Sequence, residues 1–106
     1  MAKFLFQASY TLEGTRGLAK EGGSGRRAVI DQMVKGLGGT LESMYFAFGK
    51  TDVFIVADLP DAASAAAISL SVGAAGGARV TTIPLMTPAD MDAAAKKSVK
   101  YRAPGA

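Results

Sequence analysis

Two tyrosines and one aspartate form one group of residues suited to polar chemistry. Tyr10 ends an alternating apolar segment, Tyr45 lies in a second such segment, and Asp52 follows a short glycine-containing stretch. If these segments pair as strands, the three side chains approach one end of a sheet. A phenol beside a carboxylate can bind or polarise a small ligand. The alternative interpretation is that both rings belong to the core and that Asp52 caps a turn.

Two adjacent arginines form a second candidate site. Arg26 and Arg27 follow the glycine-rich residues 22–25, at the predicted start of a helix. Free amides at a helix start attract phosphate or carboxylate groups, and guanidinium groups grip such anions through paired hydrogen bonds. The stretch is neither a Walker loop nor a dinucleotide-binding fingerprint. The alternative is therefore a break between helices, with arginines that point into solvent.

Cysteine and histidine are both absent, which excludes several kinds of site. No disulfide can form, and thiolate nucleophiles and thiolate or imidazole metal sites are ruled out. A carboxylate-only metal site needs several acids at one point, and the spacing of the acids gives no sign of that. The acids considered are Glu42, Asp58, Asp90 and Asp92. The sequence predicts no catalytic residue, no metal and no cofactor.

Composition and charge predict one globular domain with no nucleic-acid or membrane partner. Hydrophobic residues make up 49% of the 106 residues, and twelve basic residues against nine acidic ones give a net charge of +3. That charge is too small and too evenly spread for a nucleic-acid surface. No segment is apolar enough to span a bilayer, and the first residues lack the apolar core of a signal peptide. We therefore expect a cytoplasmic protein.

Apolar periodicity places the first half of the predicted elements. Residues 3–10 alternate as a half-buried strand. A turn at Glu13 and Gly14 is expected next, followed by a short helical piece through Leu18. From Arg26 the period becomes helical, and glycines at 36, 38 and 39 end that helix.

The second half begins with a predicted hairpin, in which residues 40–48 and 53–59 form strands around a short turn. Asp61 is expected to cap the following helix. Residues 79–86 predict a fourth strand, in which Pro84 indicates an edge position or a strand end. Thr87 and the proline after it then predict a short C-terminal helix.

This order of elements predicts an α+β fold of the ferredoxin-like β-α-β-β-α-β type, with a four-stranded antiparallel sheet and an extra C-terminal helix. Right-handed crossovers place both main helices on one face of the sheet. Both faces nevertheless carry large apolar groups, such as Ile55 on one and Phe54 with Val56 on the other. In the second strand, alternation puts Leu41 on the same face as Tyr45, and Met44 on the opposite one.

An apolar face left open to water is rare in a monomer. We therefore expect self-association as a homodimer or higher homo-oligomer. The alternative is that the C-terminal helix folds back over the face.

Four segments resemble the GYD-domain family. They are FLFQASYT, EGGSGRRAV, LESMYFAFGKTDVFIVADLPD and TPADMDAAAKKSVKYRAPG, and together they extend from residue 4 to residue 105. The resemblance implies a small ferredoxin-like fold related to the dimeric α/β barrels, and it implies no particular activity. Family members tend to carry a tyrosine directly before the hairpin aspartate. Thr51 stands there in this chain, so only Gly49 and Asp52 keep the pattern and no role of that tyrosine is carried over.

Two functional hypotheses follow for this single domain, residues 1–106. The first is a homo-oligomeric binding or structural module for a small anionic or apolar ligand. The second is a cofactor-free enzyme of the monooxygenase or isomerase kind, with a pocket between sheet and helices. The candidate ligand-binding residues are Tyr10, Tyr45, Asp52, Arg26 and Arg27. An anion sensor that works through the two arginines is a third, weaker possibility.

Overall fold

Eight elements follow one another in the computed structural model, which describes residues 1–106. The strands are β1 (Ala2–Tyr10), β2 (Thr40–Phe46), β3 (Val53–Leu59) and β4 (Ala78–Leu85). The helices are α1 (Leu12–Glu21), α2 (Gly23–Gly36), α3 (Ala62–Ala75) and α4 (Pro88–Ala95). The first crossover therefore contains two helices instead of one.

The four strands form one antiparallel sheet in the order β2-β3-β1-β4. This order confirms the ferredoxin-like prediction, because each crossover skips one strand: β3 lies between β1 and β2, and β1 lies between β3 and β4. Strand β4 is an edge strand, as Pro84 predicted. Pro84 pairs with Phe4 of β1.

Helices α2 and α3 cover one face of the sheet and enclose the core. Their contributions are Ile30 and Val34 from α2, and Ala65 and Ile68 from α3. From the sheet, every second residue of β1 and β3 points into the same layer. These residues are Phe4, Phe6, Ala8, Val53, Ile55, Ala57 and Leu59. Strand β3 is buried at each of its alternate positions, which explains why its bounds were predicted without error.

The predicted turn at Glu13 and Gly14 is wrong, because both residues lie inside α1. Thr11 caps α1, and its side-chain oxygen accepts a hydrogen bond from the Gly14 amide. The break falls at Gly22, whose φ of 81° lies in the left-handed region that glycine tolerates. Helix α2 consequently begins at Gly23 and not at Arg26, so both arginines lie beyond its first turn.

Because Gly14 has no side chain, the backbone of α1 can lie in direct contact with the backbone just before β4. A Cβ on Gly14 would lie 1.8 Å from the carbonyl oxygen of Gly77. The Thr11 hydroxyl donates to the Gly76 carbonyl over 2.9 Å, and the Thr11 amide donates to the Gly77 carbonyl over 3.0 Å. Gly14 is therefore a close-contact residue that holds α1 against the loop before β4.

A bulge in β2 overturns one predicted side-chain direction. The register shifts between Leu41, which pairs with Ala57, and Ser43, which pairs with Val56. The extra residue reverses the phase of the strand. Leu41 therefore faces the helices together with Met44, and Tyr45 lies on the opposite face beside Phe54. Strict alternation had placed Leu41 with Tyr45, and that prediction is wrong.

The other face of the sheet, here called the open face, has no covering element. Its apolar centre consists of half-buried Leu5, Phe54, Val56, Ile83 and Leu85. At one end Lys3 forms ion pairs with Glu42 and, at 3.0 Å, with Asp58.

Residues 86–106, here called the C-terminal arm, are exposed throughout, so α4 does not fold back over the open face. A Thr87–Asp90 capping box begins α4, as the sequence predicted for Thr87 and Pro88. No helix of the chain is both long enough and apolar enough to cross a membrane.

Candidate functional site

Tyr10 lies where β1 ends, and its ring faces the helices. The alternation of β1 determines the face of the sheet on which the Tyr10 ring lies. Phe6 and Ala8 are buried on the helix-covered face, and Tyr10 follows them by two-residue steps. Tyr10 pairs with Ala78 at the start of β4. The sequence therefore projects this ring into the layer between sheet and helices, next to the break between α1 and α2.

Asp52 fixes the β2–β3 hairpin against the end of β1. Its Oδ2 accepts a hydrogen bond from the Tyr10 amide over 2.8 Å, and its own amide donates to the Ala8 carbonyl over 2.9 Å. Ser9 adds a third contact, since its hydroxyl donates to the Lys50 carbonyl over 2.7 Å. One carboxylate oxygen of Asp52 is thus occupied by the backbone of Tyr10, which gives Asp52 a structural role beside any contact with a ligand.

Three adjoining spaces meet at Tyr10, which lines all of them. The inner cavity lies between the sheet and helices α2 and α3, has a volume of about 40 Å³, and is lined by apolar or aromatic residues except for Arg26. It has room for a few atoms and is too small for an organic ligand by itself.

Two larger clefts flank the inner cavity. The helix cleft, between α1, α2 and the end of α3, has a volume of about 360 Å³. It shares with the inner cavity the residues Tyr10, Arg26, Met33, Val72 and Ala78. The hairpin cleft has about 320 Å³ and lies between α1 and the β2–β3 hairpin, with Asp52 in its wall. Both volumes fall in the range of small-ligand sites, which begins at roughly 300 Å³.

Burial raises the pKa of the Tyr10 phenol above 10.0. The Arg26 guanidinium opposes this shift without cancelling it, while the Asp52 and Glu21 carboxylates add to it. A raised pKa keeps the phenol neutral at physiological pH. Tyr10 therefore presents an O–H donor to whatever occupies the clefts.

Arg26 is the only cation in the walls of the inner cavity and of the helix cleft. Its guanidinium lies 3.9 Å from a carboxylate oxygen of Glu21, and both side chains are about one-third exposed. A long, partly exposed ion pair of this kind contributes little to stability. Arg26 can therefore exchange Glu21 for a ligand anion at small cost.

The structure brings together three of the five residues predicted as ligand-binding. Tyr10 and Arg26 line the helix cleft, and Tyr10 and Asp52 line the hairpin cleft. Tyr45 is 70% exposed and lies on the open face, opposite Tyr10. Arg27 is exposed one residue beyond Arg26 and lines none of the three spaces.

Sequence reasoning missed Glu21, which faces Arg26 across the helix break. It also missed Met33, Met44 and Val72, which form apolar walls. The helical period marks Met33 as apolar, but the same signal marks every core residue. No group of three acids, histidines or cysteines is placed to hold a metal ion.

The family model of the GYD domain matches residues 4–95. The chain belongs to the GYD-domain family. The match covers the whole sheet except its first residues, as well as all four helices, so every residue of the two clefts lies within this GYD domain. No curated protein and no solved structure matches the chain significantly.

Proposed function

We propose that this GYD domain is a homo-oligomeric binding module that takes a small amphipathic anion in the helix cleft. The observation that carries the proposal is that Arg26 and a protonated Tyr10 line the same cleft, in which half of the lining residues are hydrophobic. A carboxylate or similar group of the ligand would lie between the guanidinium and the phenol. Its apolar part would lie against Met33 and Val72, over the mouth of the inner cavity.

The chemistry of the two polar groups supports an anion over a cation or a neutral molecule. A guanidinium offers only donors, and the neutral phenol adds one more. In apolar surroundings, hydrogen bonds that involve a charged group are about twice as strong as neutral ones. Glu21 is the only anionic side chain in the helix cleft, and it is displaced from Arg26 when the ligand binds.

Thermal unfolding with an eight-carbon carboxylate tests this proposal. Octanoate should raise Tm, since a ligand at 100 times its Kd adds about 2.7 kcal/mol to the stability of the folded state. 1-Octanol, which has the same number of carbons and no charge, should raise Tm much less. Arg26→Gln should abolish the octanoate effect.

Arg27→Gln is the matched control. It removes the same charge from the neighbouring residue, whose side chain lies outside the clefts. It should respond to octanoate as the wild type does. An equal response of the Arg26 and Arg27 variants, or no response of the wild type, would contradict the proposal and favour a purely structural module.

Self-association through the open face is the second part of the proposal. Its apolar centre of Leu5, Phe54, Val56, Ile83 and Leu85 is only half-buried in one chain. Soluble monomers rarely leave a contiguous patch of this kind exposed to water. A second copy of the chain offers an identical face, which suits an isologous pair.

A cofactor-free isomerase is a second candidate function, and the raised pKa of Tyr10 favours it. A neutral phenol can polarise a carbonyl oxygen while Glu21, in the same cleft, removes a proton from the neighbouring carbon. Deuterium uptake from D₂O into an added 2-oxo acid, dependent on both Tyr10 and Glu21, would support the enzyme. A binding module gives no such exchange.

A further inference from the structure

We infer that the C-terminal arm of each chain packs on a second copy of the chain, so that exchanged arms hold the dimer together. The inference rests on the self-association proposed above and adds the segment that makes it stable. The starting observation is that the arm, residues 86–106, contacts too little of its own chain to be buried anywhere.

The shape of the chain shows how far the arm projects. The radius of gyration is 16.8 Å and the longest dimension is 56 Å. A folded domain of this length has a radius of gyration of about 13 Å. The difference arises because α4 and the residues after it extend away from the sheet-and-helix body.

The arm carries apolar side chains that are not buried against its own chain. Met86, Met91, Val99 and Tyr101 are between 54% and 78% exposed. Helix α4 has a complete capping box but only eight residues and no buried side chain. Isolated helices shorter than about 12 residues are marginal in water, so α4 needs a surface to pack on.

The area of the open face indicates that the missing surface belongs to a second copy. Four strands about 4.8 Å apart and about eight residues long, at about 3.3 Å per residue, give a face of about 500 Å² in flat projection. A stable interface buries about 800 Å² on each partner. The open face is smaller than this in flat projection, so an added segment such as the arm enlarges the area that two copies can bury.

The position of the arm suits that role. It leaves the body at Leu85, whose side chain lies on the open face at the edge of the sheet. Packed sheets lie about 10 Å apart, so the partner's body begins close to this point. Helix α4 spans about 12 Å, and residues 96–106 can extend by up to about 36 Å. The arm is long enough to reach across the partner.

Isotope-resolved cross-linking of the full chain tests the inference. ¹⁵N-labelled and unlabelled protein are mixed, allowed to exchange subunits, and treated with a lysine-reactive reagent. The arm offers Lys96, Lys97 and Lys100, and the body offers Lys3, Lys20, Lys35 and Lys50. Exchanged arms predict that arm-to-body links in the dimer fraction join one labelled and one unlabelled peptide in about half of the pairs, because partners are drawn at random.

Each other result overturns the inference in a distinguishable way. Arm-to-body links that join only peptides of the same isotope would show that the arm folds on its own chain. Links between bodies of different isotope, without any from the arm, would leave self-association standing and remove the arm from it. A monomeric mass at all concentrations would refute self-association and the exchanged arm together.

A pair of matched variants gives an independent measurement. Val99→Asp changes an arm residue that is 78% exposed, and Leu12→Asp changes a body residue that is 69% exposed, so neither disturbs the core. Val99→Asp should raise the dissociation constant of the dimer at least about tenfold, as loss of an interface anchor does, and Leu12→Asp should leave it unchanged. Equal effects of the two variants would contradict the inference.

Discussion

At the scale of single residues, the protonation of Tyr10 follows from its position at the end of β1. Its ring is drawn into the layer between sheet and helices by the alternation that buries Phe6 and Ala8. The enclosed phenol keeps its proton because burial disfavours the charged form more than Arg26 favours it. The site therefore presents a hydrogen-bond donor, the Tyr10 hydroxyl, which keeps its proton up to alkaline pH.

The raised pKa of Tyr10 predicts a loss of stability at high pH. The folded-state pKa lies above the unfolded value of about 10, so the stabilisation is complete below pH 10 and declines as pH rises through the folded-state pKa. Urea unfolding at pH 9 and pH 11 should show a larger loss for the wild type than for Tyr10→Phe. Tyr45→Phe, at an exposed position, should behave as the wild type.

Lys3 does not disturb this comparison. Hydrogen bonds to Glu42 and Asp58 raise its pKa above 10.5, so its ion pairs are also lost as pH rises. The wild type, Tyr10→Phe and Tyr45→Phe all lose these ion pairs equally. The loss therefore cancels when the stabilities of the three proteins are compared. If Tyr10→Phe loses as much stability as the wild type between the two pH values, Tyr10 does not titrate as described.

The candidate site was only partly predictable at this scale. Composition and strand ends singled out Tyr10, Asp52 and Arg26, which the structure places around the clefts. Tyr45 was grouped with them because sequence spacing does not show which face a residue takes after a bulge. Glu21 was missed because its proximity to Arg26 depends on the angle between two helices at Gly22.

At the scale of elements, α1 is positioned by contacts of its first turn. Gly14 and Gly77 meet at backbone distance, and Thr11 joins the two segments by hydrogen bonds to Gly76 and Gly77. Helix α1 has no buried residue, so little else holds it. Because α1 forms one wall of both clefts, this contact also sets the width of the site.

Gly14→Ala should destabilise the protein, because the new Cβ would collide with the Gly77 carbonyl. Overpacking of this kind costs about 1–3 kcal/mol, and denaturant unfolding measures it. Gly17→Ala is the matched control on the same helix, where a Cβ meets nothing within 4 Å. It should raise stability by about 0.5–1 kcal/mol through helix propensity alone. Similar effects of the two substitutions would contradict the close contact.

The elements themselves were largely predictable from local signals. Alternation defined β1 and β3, Asp61 marked the start of α3, and Thr87 with Pro88 marked the start of α4. The continuity of α1 was not predictable, because Glu13 and Gly14 have the composition of a turn. Gly14 is required by its contact with Gly77, which lies far along the chain, and no local pattern carries that information.

At the scale of the whole molecule, the chain has one enclosed face and one open face. All buried side chains lie between the sheet and helices α2 and α3, while Phe54 and Val56 remain accessible on the other side. The right-handed crossovers predicted this division, because they place both main helices on one face of the sheet. What covers the open face was not predictable, since one chain contains no signal for its partner.

Val56→Lys should weaken self-association without unfolding the chain, because Val56 is only half-buried and a lysine side chain can extend to solvent. We expect the dissociation constant from analytical ultracentrifugation to rise at least about tenfold. Val29→Lys, on the outer side of α2 and 46% exposed, is the control. An unchanged constant for Val56→Lys would exclude the open face as the interface.

The bulge in β2 has a consequence for how the chain can change in evolution. A strand normally tolerates no change in length, because one residue more or less inverts every side chain beyond it. Leu41 and Met44 both face the core across the two residues Glu42 and Ser43. Loss of Ser43 would leave Leu41 and Met44 inward, with Glu42 between them facing outward. Length variation among relatives is therefore expected inside this strand and not only in the loops around it.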